Sequence, residues 1–123
     1  MLDQSGFPEI FNRLKSLLTP YAEASIVSAD LPDVYMLDAP FSERFGREVS
    51  IGGVKIRKNY VSYYLMPVYI YPDLLNDISP ELKRRMQGKS CFNFTRFDEN
   101  LFAELKQLTE RGLRRYRDVG LLP

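Results

Sequence analysis

The stretch "REVSIGGVKIRKNYVSYYLMP", residues 47–67, constrains the fold more than any other part of the chain. Its apolar and polar side chains alternate with period two, the spacing of an extended strand that covers one face and leaves the other open. Gly52-Gly53 and Lys58-Asn59 punctuate the alternation, predicting three short strands in an antiparallel meander. Val54 and Ile56 fall on one side with Val61, Tyr63 and Leu65. Lys55, Arg57, Tyr60, Ser62, Tyr64 and Met66 fall on the other. If helices cover the first side, the second presents basic and aromatic groups to water, an unusual surface to leave bare. Either the loop around Phe41 and Phe45 covers it, or a second subunit does, making the protein a homodimer, or it is a platform for a small planar or anionic ligand.

Flanking segments supply the helices. Phe7, Ile10, Phe11, Leu14, Leu17, Leu18 and Tyr21 recur at helical spacing, with Pro8 suited to a first turn and Pro20 set to end or kink the helix near Thr19. One strand is expected over residues 34–38, in a segment of β-branched and aromatic residues cut by prolines. In "PDLLNDISPELKRRMQG" a short turn precedes a short helix that Ser79 caps and Gly88 ends. "CFNF", residues 91–94, alternates as a last strand. Asp98 then caps a long helix that buries Leu101, Phe102, Leu105, Leu108, Leu113 and Tyr116. This order describes a single α+β domain over residues 1–123: a curved antiparallel sheet of about five strands, covered on one face by an N-terminal and a long C-terminal helix.

Composition narrows the chemistry. Seventeen basic and sixteen acidic side chains give a net charge of +1, so no global field points to nucleic acid or anionic lipid. The basic clusters at residues 83–85 and 114–117, the second interleaved with Tyr116, read as solvated helix faces rather than an RNA surface. The longest apolar run, "YYLMPVYIYP", is too short and proline-broken to span a bilayer. With one cysteine and no secretory leader pattern, a soluble cytoplasmic protein is expected.

The chain has no histidine, which removes the commonest general base and any Ser-His or Cys-His pair. "RMQGKSCFNF" offers Gly-Lys-Ser, yet Lys83 stands where a phosphate loop needs its first glycine. Lys89 is therefore expected to satisfy the last carbonyls of the preceding helix, with contact to an anionic ligand as the alternative. Cys91 reads as a small packed residue between a strand and a helix. Its alternative role is a nucleophile whose thiolate Lys89 or a helix terminus would favour.

The run "YVSYYLMPVYIYPDLLNDISPELKRRMQGKSCFNFTRFDENLFAELKQLTERGLRRYR", residues 60–117, resembles a bacterial group of small uncharacterised proteins related to the YdhG-like domains of unknown function. The helix-then-meander order extends the likeness over nearly the whole chain. The resemblance implies a curved antiparallel sheet packed against terminal helices, and it brings no established catalytic residues. One branch of the wider set is described as frataxin-like iron chaperones, which implies an iron carrier as a remote reading. Such a carrier would need converging oxygen or imidazole ligands, and the nearest carboxylate groupings are Asp73 with Asp77 and Asp98 with Glu99, each placed to cap or solvate a turn.

The reading that follows is a noncatalytic binding or interaction domain for a small ligand or protein partner. Its candidate site residues are Lys55, Arg57, Tyr60, Tyr64 and Lys89, with no cofactor or metal. An enzyme using Cys91 is the alternative.

Overall fold

The computed structural model describes residues 6–40, 46 and 48–123. Phe41 and Phe45, in the loop named as one of the alternative covers of the sheet face, lie outside the described residues.

Helix α1, Phe7–Lys15, starts at Pro8 in its first turn and buries Phe7, Ile10, Phe11 and Leu14. It stops before Pro20 is reached, and a 3-10 turn, Thr19–Ala24, carries the chain to the sheet. Strands β1, Ile26–Leu31, and β2, Val34–Asp38, form a hairpin across Pro32 and Asp33, with Leu31 opposite Val34. Pro32 presets the turn's backbone angle. β1 was not expected from the sequence. It is an edge strand whose register shifts between Val27 and Ala29, and Ile26, Val27 and Leu31 stay exposed on it, so its residues do not show the alternation of a half-covered strand.

The meander differs from expectation in one respect. Gly52 and Gly53 do not separate two strands but lie inside one, β3, Ser50–Ile56, which pairs β2 on one side and β4, Val61–Leu65, on the other. The glycines permit close approach rather than a turn: a Cβ on Gly53 would collide with the Met36 sulfur, and one on Gly52 with the Tyr64 carbonyl oxygen. After β4 the chain leaves the sheet as α2, Met66–Ile70, with Pro67 in its first turn, followed by a 3-10 turn, Pro72–Leu75.

Ser79 caps α3, Pro80–Lys83, as its sequence predicts, accepting from the Leu82 backbone N–H at 3.1 Å and donating its own hydroxyl to Glu104 at 2.6 Å. The helix lasts one turn, however, and Gly88 does not end it. Met86–Gln87 form a short edge strand, β5, and Gly88 takes φ +72° in the turn to β6, Cys91–Phe94. Helical spacing of Leu82 and Met86 concealed this, since a two-residue strand carries no periodicity of its own.

The result is a six-stranded, wholly antiparallel sheet in the order β1-β2-β3-β4-β6-β5. Helix α4, Glu99–Asp118, is capped by Asp98, whose carboxylate accepts from the Leu101 N–H at 3.1 Å. α1 and α4 cover the same face. Between them and the sheet, Tyr35, Leu37, Val54, Val61, Tyr63, Leu65, Phe92 and Phe94 join Leu14, Leu105 and Leu108 in one core. Phe94 meets Phe102 edge to face at 5.0 Å. The Tyr63 hydroxyl lies 2.7 Å from that of Thr109, which donates to the Leu105 carbonyl at 2.8 Å; Tyr63 is therefore the donor of the pair.

Candidate functional site

No element among the described residues lies over the sheet's second face, and the alternation delivers the expected side chains to it. Lys55 opposes Ser62, Gly53 opposes Tyr64, Tyr64 opposes Cys91, and Ser62 opposes Asn93, so three strands contribute to one continuous surface. Arg57 and Tyr60 close the β3–β4 turn, the Arg57 N–H donating to the Tyr60 carbonyl at 2.8 Å.

Two adjoining concavities mark the surface. The larger, about 320 Å3, is lined by Arg57, Tyr60, Ser62, Gln87, Cys91 and Asn93. The smaller, about 180 Å3, takes in Lys55, Tyr64 and Met36 and shares Arg57, Ser62 and Cys91 with its neighbour. Among the described residues no carboxylate lines either one. The ion pairs among the described residues are Arg13–Glu99, Lys15–Asp30 and Arg115–Asp73, so Lys55 and Arg57 carry charge here without an acidic partner.

Asn93 adds an unmet demand. Its side-chain amide donates to Gln87 Oε1 at 2.7 Å, while its Oδ1 is buried and has no hydrogen-bond partner among the described residues. A buried acceptor left unpaired costs roughly 1–3 kcal/mol.

Tyr64 is on this face but is not free. It is half-buried, and its hydroxyl donates to the Met66 sulfur at 3.4 Å. Burial raises its phenol above the ordinary value, with Cys91 and Asp38 adding to the rise and Ser50 opposing it. Met66, expected on the open strand face, instead begins α2.

Of the five sequence candidates, the structure gathers Lys55, Arg57, Tyr60 and Tyr64 around these concavities and leaves Lys89 apart. Lys89 stands in the β5–β6 turn and satisfies no helix end; its ammonium lies 5.9 Å from the Tyr69 ring centroid. Cys91 also corrects an expectation. It is partly exposed on the uncovered face, beside Tyr64 and Gln87, and is not packed between strand and helix. Sequence reasoning missed Asn93 and Gln87 as site residues. Asn93 was within reach, since it alternates with Phe92 and Phe94, whereas Gln87 was hidden by the helical reading of its segment.

The remaining candidates have structural duties. Arg115 binds Asp73 through both guanidinium nitrogens, at 2.7 and 3.2 Å, and lies 5.0 Å from the Tyr71 ring centroid. That pairing holds the Asp73 carboxyl below the usual carboxylate range. Tyr116 is buried, its hydroxyl donating to the Ser50 carbonyl at 2.8 Å, so it offers no ring to a nucleobase. Among the described residues no three His, Cys, Asp or Glu side chains gather closely enough to hold a metal ion. No described helix is long and apolar enough to cross a membrane.

No known family, no curated protein and no solved structure matches the chain.

Proposed function

We propose that the protein is a noncatalytic binding domain and that its uncovered sheet face takes a small planar anion bearing an N–H or O–H donor. The observation that carries this is the gathering of Arg57, Tyr60, Ser62 and Asn93 around one concavity that no carboxylate among the described residues lines. Arg57 suits a carboxylate through two parallel N–H donors, Tyr60 offers an aromatic surface for a flat ligand body, and the Ser62 hydroxyl in the same lining can accept the ligand's donor. The YdhG-like resemblance fits this reading because it supplies no catalytic residue.

A thermal-shift screen of heteroaromatic carboxylates against the intact chain tests it. A ligand at one hundred times its dissociation constant adds about 2.7 kcal/mol of stability. Arg57→Gln should abolish the response while Cys91→Ala preserves it. If the Arg57 variant responds like the wild type, the anion does not sit here.

The position of Cys91 in both concavities favours one second reading, an enzyme with Cys91 as nucleophile. It requires that Cys91→Ala eliminate turnover of a screened electrophilic substrate. A Cys91→Ala variant that binds and behaves as the wild type sinks it.

A further inference from the structure

On the other side of the β5–β6 turn, a groove of about 510 Å3 opens between α2 with its following 3-10 turn and strand β5. Its walls are Val68, Tyr69, Pro72, Leu75 and Met86, all apolar or aromatic. Among the described residues its charged groups are Lys83 and Lys89, and no carboxylate lines it. Neither lysine forms an ion pair among the described residues; Lys89 leans instead over the Tyr69 ring. A volume of this size, mostly apolar with a few polar groups at one side, is what small-molecule sites share. The charge at its rim selects the sign of the occupant.

We infer that this groove is a binding site for an amphiphilic monoanion, a medium-chain aliphatic carboxylate, whose tail lies along Val68, Leu75 and Met86 and whose headgroup meets Lys83 and Lys89. The apolar walls contribute attraction in proportion to the tail area they remove from water, without regard to charge. The two ammoniums distinguish an acid from the alcohol of equal length, because a hydrogen bond to a charged group is worth more than one between neutral groups. The site is separate from the sheet face and does not depend on the reading given for it.

The test is a nuclear magnetic resonance titration of the intact chain with decanoate below its micelle concentration, beside decanol and butyrate. Decanoate should shift the Val68, Leu75 and Met86 methyl resonances saturably, and butyrate should not. Decanol should bind about tenfold or more weakly, and Lys83→Gln with Lys89→Gln should weaken decanoate by a similar factor, the scale expected for losing a charge-assisted hydrogen bond. Both lysines are exposed, so the double variant should keep the wild-type circular dichroism spectrum. Arg57→Gln should leave decanoate binding unchanged, which separates failure of this site from failure of the sheet-face site. Equal affinity for decanol, an unaffected double lysine variant, or loss of binding in Arg57→Gln would each overturn the assignment. So would lysine-dependent binding to anionic phospholipid vesicles without saturable decanoate shifts, which would make the groove a membrane contact.

Discussion

The two faces of the sheet are made by the same strands, residue by residue, and differ in almost everything else. On the helix-covered face Tyr35, Val54, Val61, Tyr63, Phe92 and Phe94 are all buried. On the other, the intervening Met36, Ser62, Tyr64, Cys91 and Asn93 are only partly covered and Lys55 is exposed. On the first face the buried Tyr63 hydroxyl finds its partner in Thr109. The second, among the described residues, leaves Asn93 Oδ1 unpaired and Lys55 and Arg57 without acids. A strand's period of two thus lets one segment specify a core and a recognition surface at once, each free to vary without moving the other's side chains.

The sharpest way to break this comparison is to cut into the covered side. Leu105→Ala and Leu14→Ala each remove a fully buried side chain from a helix packed on that face, and each should lower unfolding free energy by roughly 2–5 kcal/mol in chemical denaturation. Losses below about 1 kcal/mol at both positions would mean that the faces differ less than the geometry indicates.

A smaller effect should come from the polar contact within the core. Tyr63→Phe deletes the donor to Thr109, whose own hydroxyl keeps its bond to the Leu105 carbonyl, so the loss at neutral pH should be about 1 kcal/mol. Its pH dependence is more informative. Burial raises the Tyr63 phenol well above its ordinary value, so the native state holds that proton after the unfolded chain has released it. The associated stability is present below about pH 10, the ordinary tyrosine value, and is lost as pH rises above it toward the raised native value. Denaturant midpoints measured across the alkaline range should therefore fall less steeply in Tyr63→Phe than in the wild type. Burial raises the Tyr116 phenol in the same sense, so some slope should remain.

The smallest effect belongs to the open face. Lys55→Gln removes an exposed charge with no ionic partner among the described residues and should change stability by no more than about 0.5 kcal/mol. A larger loss would show that the open face contributes to folding, narrowing the contrast between the two.

The long periodic elements could be read directly. α4, α1 and the β3–β4 alternation each repeat their apolar spacing over enough residues to fix which side is buried, and caps such as Asp98 and Ser79 mark helix starts through a local hydrogen bond. Short and edge elements escaped for physical reasons. β5 is two residues long, β1 is interrupted by a register shift, and neither offers a sustained pattern. Gly52-Gly53 misled because paired glycines signal a turn, whereas here they are required by the β2 backbone at the Tyr35 carbonyl and the β4 backbone at the Tyr64 carbonyl passing close to β3. The sheet-face candidates were recoverable by alternation alone. The setting of Lys89 was not, since it depends on a turn that only the β5–β6 pairing defines.

The strand order has a consequence for the chain as it is synthesised. β1 to β4 lie side by side in the order they are made, so this meander can pair as soon as Leu65 has emerged. β6, which completes the far side of β4, comes only after α2 and α3, and it arrives joined to β5 as a hairpin. α4 follows later still. During that interval the outer edge of β4 is an unpaired template, and part of the surface bearing Val54, Val61, Tyr63 and Leu65 still awaits its second helix. The nascent protein is therefore most prone to self-association between translation of β4 and translation of α4, and a ribosome pause in that window would prolong the exposure.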